Sequence, residues 1–123
     1  GVGKPYRENI DERLEDWMSY RCYQKIGKRD LANQSLHKII GFQTKIENTV
    51  NNFLPANEIL TAWAMEKIAT KAEASEWLQQ EVNKYPANKI IEWCWQIFEN
   101  GHSDITVANN SGVRLITELE KMK

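Results

Sequence analysis

Apolar residues recur at three- and four-residue steps through most of the chain, the period of a helix with one buried face. Leu14, Trp17, Met18, Cys22 and Ile26 mark the first such stretch and predict a helix over about 11–26. Asp11, Glu12, Glu15 and Asp16 crowd its beginning and Arg21, Lys25 and Lys28 its end, which complements the helix dipole. Gly27 stops it, because glycine takes the left-handed conformation without a side-chain clash, and Asp30 is placed to cap the helix that follows. That second helix covers about 31–40 through Leu31, Ala32, Leu36, Ile39 and Ile40, and the short link predicts an antiparallel pair. After Gly41 a polar stretch, Gln43 to Asn52, offers only Ile46 and Val50 as strongly apolar members and predicts a loop or a frayed turn.

Pro55 opens a third predicted helix over about 55–69, with Ile59, Leu60, Trp63, Ala64 and Ile68 near one face. Thr70 and Glu73 make a T-x-x-E capping box that starts a fourth, carried through Ala74, Trp77, Leu78 and Val82 to about Lys84, where Tyr85 and Pro86 end it. Pro86 also suits the first turn of a fifth helix, about 86–99. Its Ile90, Ile91, Trp93, Cys94, Trp95, Ile97 and Phe98 cover nearly the whole circumference and predict packing on both sides. Asn100 and Gly101 stop it, and a polar run from His102 to Gly112 leads to a last amphipathic helix over about 112–122. Val113, Leu115, Ile116, Leu119 and Met122 make that helix a predicted lid over the open end of the stack. Ile105, Thr106 and Val107 are too brief to argue a strand.

Composition sharpens the picture. With 123 residues, 41% of them hydrophobic, and five tryptophans, the chain has material for one packed core and no room for a second full-sized domain. Sixteen Lys and Arg against 17 Asp and Glu leave a net charge of -1, without the cationic excess that phosphate backbones attract, so nucleic acid is not an expected partner. No apolar run approaches the ~20 residues that cross a bilayer, so membrane insertion is not expected. The amino terminus lacks the apolar core of a signal peptide, and the sequence leaves cytoplasm and periplasm both open. Cys22 and Cys94 lie far apart beside bulky apolar residues, with no CxxC pair, and are expected to be inert core thiols.

The two predicted hairpins can be laid on one another with an offset of 42 residues, which pairs Ala32 with Ala74. Tyr23 then falls on Met65, Cys22 on Ala64, Ile26 on Ile68, Gly27 on Ala69 and Leu36 on Leu78, keeping small or large character at each step. Small residues early in each second helix allow close approach, and large ones fill the groove between successive pairs.

The run AMEKIATKAEASEWLQQEVNKYPAN resembles a tetratricopeptide repeat, through Ala62, Ala74, Leu78, and Pro86 with Asn88 at the close. YQKIGKRDLANQSLHKII is similar, through Tyr23, Gly27, Ala32 and Leu36, without the closing proline. The offset exceeds the family's period of about 34 residues, so an insertion lies between the pairs, and the third unit has a first helix but no recognisable second. The resemblance implies an all-α fold of stacked antiparallel hairpins in a right-handed superhelix. Hairpin one spans about 11–41 and hairpin two about 55–85; a third helix follows over 86–99 and a C-terminal capping helix over 112–122. It also implies an inner surface lined by the first helix of each pair, which places Trp17, Arg21, Lys25, Trp63, Glu66, Lys67 and Trp95 along a partner-binding groove. Rings beside charges suit such a groove, since desolvated aromatics anchor and charges orient. The family's Lys/Asn clamp for a ligand carboxylate is not reproduced. Trp77 and Trp93 are assigned to the core.

Catalytic sets are weak by comparison. His37 has no partner at a helical step, and His102, Ser103 and Asp104 are adjacent in sequence, whereas the members of a triad are assembled by the fold. The glycines form no phosphate-cradling pattern, Glu47, Glu92 and Glu99 make no recognisable acid pair, and the residues offer no metal-binding spacing. Asn33-Gln34-Ser35 and Asn109-Asn110-Ser111 match a glycosylation sequon. The expectation is therefore a non-catalytic module without cofactor or metal, binding a protein segment or another domain of its parent chain. The alternative is a helical accessory domain of a larger secreted or periplasmic enzyme. A small hydrolase centred on His102 and Asp104 is the third and least supported reading.

Overall fold

A computed structural model describes residues 10–42, 54–107 and 111–123. The expected loop over 43–52 with Ile46, Glu47 and Val50, and the sequon residues Asn109 and Asn110, lie outside the described residues. The described chain is all-α: α1 (Arg13–Lys25), α2 (Arg29–Gly41), a 3-10 turn (Leu54–Asn57), α3 (Glu58–Ile68), α4 (Lys71–Lys84), α5 (Lys89–Asn100) and α6 (Ser111–Met122). No strand occurs among the described residues, and no helix there is long and apolar enough to cross a membrane.

Local chemistry sets most boundaries. Gly27 and Gly101 take φ of +78° and +80°, the left-handed conformation that glycine adopts without penalty, and each follows the end of a helix. Thr70 Oγ1 accepts the Glu73 amide at 3.1 Å, which satisfies one orphan donor of α4. Other boundaries differ from the sequence reading. Asp30 does not cap α2; it sits in the first turn, behind Lys28 and Arg29, where its charge still favours the dipole. Pro86 lies in the turn before α5 rather than in its first turn, because Asn88 supplies the cap, accepting the Ile90 and Ile91 amides at 3.1 and 3.2 Å. The α-helix expected from Pro55 starts at Glu58, after the tighter 3-10 turn.

Three polar contacts fix the helix directions. Lys38, late in α2, meets Asp16, early in α1, at 3.1 Å, so that pair is antiparallel. Glu81, late in α4, stands close enough to Glu58 at the start of α3 to have its pKa raised by it, and the second pair is antiparallel too. Arg13 reaches Glu58 at 2.6 Å, start to start, so α1 and α3 run the same way. Each helix from α1 to α5 packs on the next, and α1 also touches α3, and α3 touches α5.

The helix enclosed on all sides is α3, not the fifth helix expected from the sequence. Every residue from Glu58 to Ala64 is buried, because α1, α2, α4 and α5 all pack against it. In α5 burial is confined to Ile91, Trp93, Cys94 and Phe98, while Trp95 and Ile97 are only partly covered. The inward face of α1 is also turned from expectation. Arg13, Trp17 and Tyr20 are buried, whereas Met18, Cys22 and Ile26 are exposed. Cys22 is therefore not a core thiol; Cys94 is, its Sγ 3.4 Å from the Ala56 carbonyl oxygen, with burial pushing the thiol pKa up.

Under the offset of 42 residues, α2 and α4 begin at corresponding positions, Arg29 and Lys71. Ala32 and Ala74 are both buried, as are Leu36 and Leu78, while Ile26 and Ile68 are both exposed. The match is incomplete: Cys22 is exposed where Ala64 is buried, and Gly27 is left-handed where Ala69 has φ of -120°.

Candidate interaction surface

The face made by α1 and α3 carries most of the residues assigned to a groove, and α6 lies on it. At its start, Ser111 and Gly112 share a cleft with Asp11, Leu14, Glu15 and Asn57. At its end, Arg21 Nη2 donates to the Met122 carbonyl at 3.4 Å and Lys123 Nζ stands 3.7 Å from Glu66 Oε1. The same ammonium lies 4.9 Å from the Trp63 ring centre and 5.9 Å from that of Phe98. Val113, Ile116 and Leu119 point one stripe of α6 into the common core. The last helix thus runs along the first helices of the pairs, not over the open end of the stack as its amphipathic pattern suggested.

This placement changes the role of the aromatic residues. Trp17 is 1% exposed and Trp63 is fully buried, their rings 5.3 Å apart and tilted by 46°, with Tyr20 5.1 Å from Trp17. Neither indole is an exposed anchor: both are interior, in the core cluster that Val113, Ile116 and Leu119 of α6 also join, with the Lys123 ammonium over the Trp63 ring. Among the described residues neither indole N–H has an acceptor. Arg21 and Glu66 are half-buried beside the end of α6, Lys25 and Lys67 are exposed near the ends of α1 and α3, and Trp95 is half-buried at the margin of the core. The structure therefore brings Trp17, Arg21, Trp63 and Glu66 together on one face and leaves Lys25, Lys67 and Trp95 at its periphery.

Beneath one end of this face is a buried polar knot that the sequence did not announce. Arg13, 1% exposed, donates through Nη2 to Asp11 at 2.7 Å and through Nη1 to Glu58 at 2.6 Å and Thr61 Oγ1 at 3.1 Å. Its guanidinium also stacks 4.5 Å from the centre of the Phe42 ring, and Asn57 donates to Asp11 at 3.2 Å. One cation so joins the start of α1, the start of α3 and the chain leaving α2. Burial alone would lower the guanidinium pKa, but the hydrogen bond and charge of Asp11 and the charge of Glu58 outweigh it and hold the pKa above its ordinary value. A third carboxyl completes the group. Burial, then the hydrogen bond and charge of Glu58, raise Glu81 from 4.5 to about 7. Asp11 reads as an ordinary dipole charge in sequence, and no spacing singles out Arg13. The available signal was Glu58 and Thr61 inside an apolar run that leaves them no solvent face.

The His102–Asp104 segment serves the end of α5. Ser103 Oγ donates to Gln96 Oε1 at 2.6 Å and accepts the Ile105 amide at 3.0 Å, the Asp104 amide is 3.3 Å from the same Gln96 oxygen, and His102 is exposed. The serine hydroxyl is engaged in shaping the turn. Among the described residues no three His, Cys, Asp or Glu side chains gather as a metal site would need. Compared with known proteins, the chain matches no family model, no curated protein and no solved structure.

Proposed function

We propose that this chain is a non-catalytic protein–protein or interdomain interaction module, a tetratricopeptide-like stack of hairpins that binds a protein segment or another domain of its parent chain through the face of its first helices. The observation that carries the reading is the convergence of Trp17, Arg21, Trp63 and Glu66, from the first helix of each pair, on one face that already holds a helix. The corresponding starts of α2 and α4 and the matched burial of Ala32 with Ala74 and Leu36 with Leu78 support the repeat. The test uses exposed charges, since the buried indoles hold the fold. In a Lys25→Glu/Lys67→Glu variant with unchanged circular dichroism, partners recovered with the wild-type protein bind at least tenfold more weakly by calorimetry. Equal binding to both proteins removes the assignment.

A second reading, a helical accessory domain of a larger secreted or periplasmic enzyme, is favoured by a different surface. Ile26, Leu31 and Ile68 are all exposed and flank the turns of the two hairpins, which lie at one end of the stack because α1 and α3 run the same way. Uncovered apolar surface of this kind seeks a partner. Light scattering at high concentration separates the two: self-association favours the accessory domain, and a monodisperse monomer counts against it.

A further inference from the structure

We infer that α6 is an exchangeable occupant of a helix seat, and that the partner accepted there is an amphipathic helix of another polypeptide that takes the place of α6. This rests on the reading of the face as an interaction surface and adds what it binds and how access is controlled. The seat holds α6 by a single stripe, Val113, Ile116 and Leu119, while Leu115 and Met122 on the same helix remain exposed. The intervening residues 102–107 form no helix or strand, and a connection of 101–110 reaches ~35 Å when extended, enough for the helix to leave while tethered.

The seat also reads direction. Glu15 lines the cleft at the first turn of α6, where helix amides concentrate positive charge, and Arg21 meets the Met122 carbonyl, where the dipole is negative. Glu66 and the Trp63 ring receive the cation one place past the last turn. A competing helix therefore carries three apolar residues at three-residue steps, no acid in its first turn and a Lys or Arg just beyond its end. The folded state also carries a built-in cost: the indole N–H groups of Trp17 and Trp63 are buried without an acceptor among the described residues.

The probe is a dye-labelled peptide with the sequence of residues 111–123, titrated into the full chain. A tethered helix competes at an effective concentration on the order of mM, so the wild type binds the peptide poorly. An Ile116→Asp/Leu119→Asp full chain, whose own helix no longer seats, binds it at least tenfold more tightly, and a peptide of reversed sequence binds neither protein. Equal affinity for wild type and variant, no binding to the variant, or loss of the helical fold in the variant each overturn the inference, the last because α6 is then part of the core rather than its occupant. Hydrogen exchange on the unmodified protein gives an independent check: α6 amides exchange at least tenfold faster than those of α3, and equal protection overturns exchange. These outcomes are separable from the partner test above. Peptide exchange with partners indifferent to Lys25 and Lys67 keeps the seat and removes the assigned partner face, while partner binding that is sensitive to those lysines without peptide exchange does the reverse.

Discussion

α3 and α6 are nearly the same length, yet they are held in opposite ways. Over its first two turns α3 has no outside: Glu58 to Ala64 are buried without interruption, and the one charge among them, Glu58, is held by Arg13. α6 has a clear outside, with one stripe inward and exposed apolar residues among its polar ones. A helix enclosed on every side can leave only if the domain unfolds, whereas a helix held on one face can separate with the rest intact. The comparison teaches that amphipathicity marks the removable element here, and that its absence marks the anchor.

Attacking the anchor gives the largest expected effect. Arg13→Met strips the cation from two buried carboxylates and lowers global stability by about 3–5 kcal/mol in urea unfolding, because one side of a buried charge cluster is left unpaired. A loss below ~1 kcal/mol would show that the knot is not what fixes α3. Ile116→Ala comes next, at about 2 kcal/mol for a fully buried aliphatic side chain. In contrast to the arginine variant, the loss appears as faster hydrogen exchange in α6 while α3 amides keep their protection; uniform loss of protection would erase the distinction between the two helices.

The raised Glu81 carboxyl gives a smaller, pH-dependent signature. Glu81 has its pKa raised in the folded state from 4.5 to about 7, so the stability it contributes is fully present below about 4.5 and is lost as pH rises through about 7. The expected drop between pH 5 and 8 is on the order of 1 kcal/mol once solvent screening is allowed for, and Glu81→Gln flattens it. A profile unchanged by that substitution would remove Glu81 as the cause. Smallest is Glu66→Gln, which breaks the partly exposed pair with Lys123 and costs about 0.2–0.5 kcal/mol, measured as a slight rise in α6 exchange and sensitive to salt.

The residues that were legible in the sequence act through their own backbone or through a repeated pattern. Gly27, Gly101 and Thr70 do locally what their chemistry dictates, and Ala32, Leu36, Ala74 and Leu78 are buried as the helical period indicates. What was hidden depends on the surroundings. Periodicity predicted a stripe on α1 but could not choose between Trp17 with Tyr20 and Met18 with Cys22, since the choice turns on Arg13 being neutralised by Glu58, 45 residues away. The same limit exchanged the roles of α3 and the fifth helix: seven apolar residues around α5 suggested enclosure, yet enclosure needs neighbours on every side, and α3, with the small Ala62 and Ala64, admits four helices. For the surface, the sequence placed Arg21, Glu66, Trp17 and Trp63 on one face but took the two tryptophans for anchors open to a ligand, because nothing in their spacing reveals that they are buried in the same core as the inward stripe of α6.

The contrast between the two thiols has a practical outcome. Cys22 stands open on α1 while Cys94 is sealed in the interior with its ionisation suppressed, so a thiol-reactive dye attaches at one defined place on the native protein without any engineered residue. Only unfolding would admit a second dye, and the ratio of labels per chain becomes a direct count of how often the interior opens.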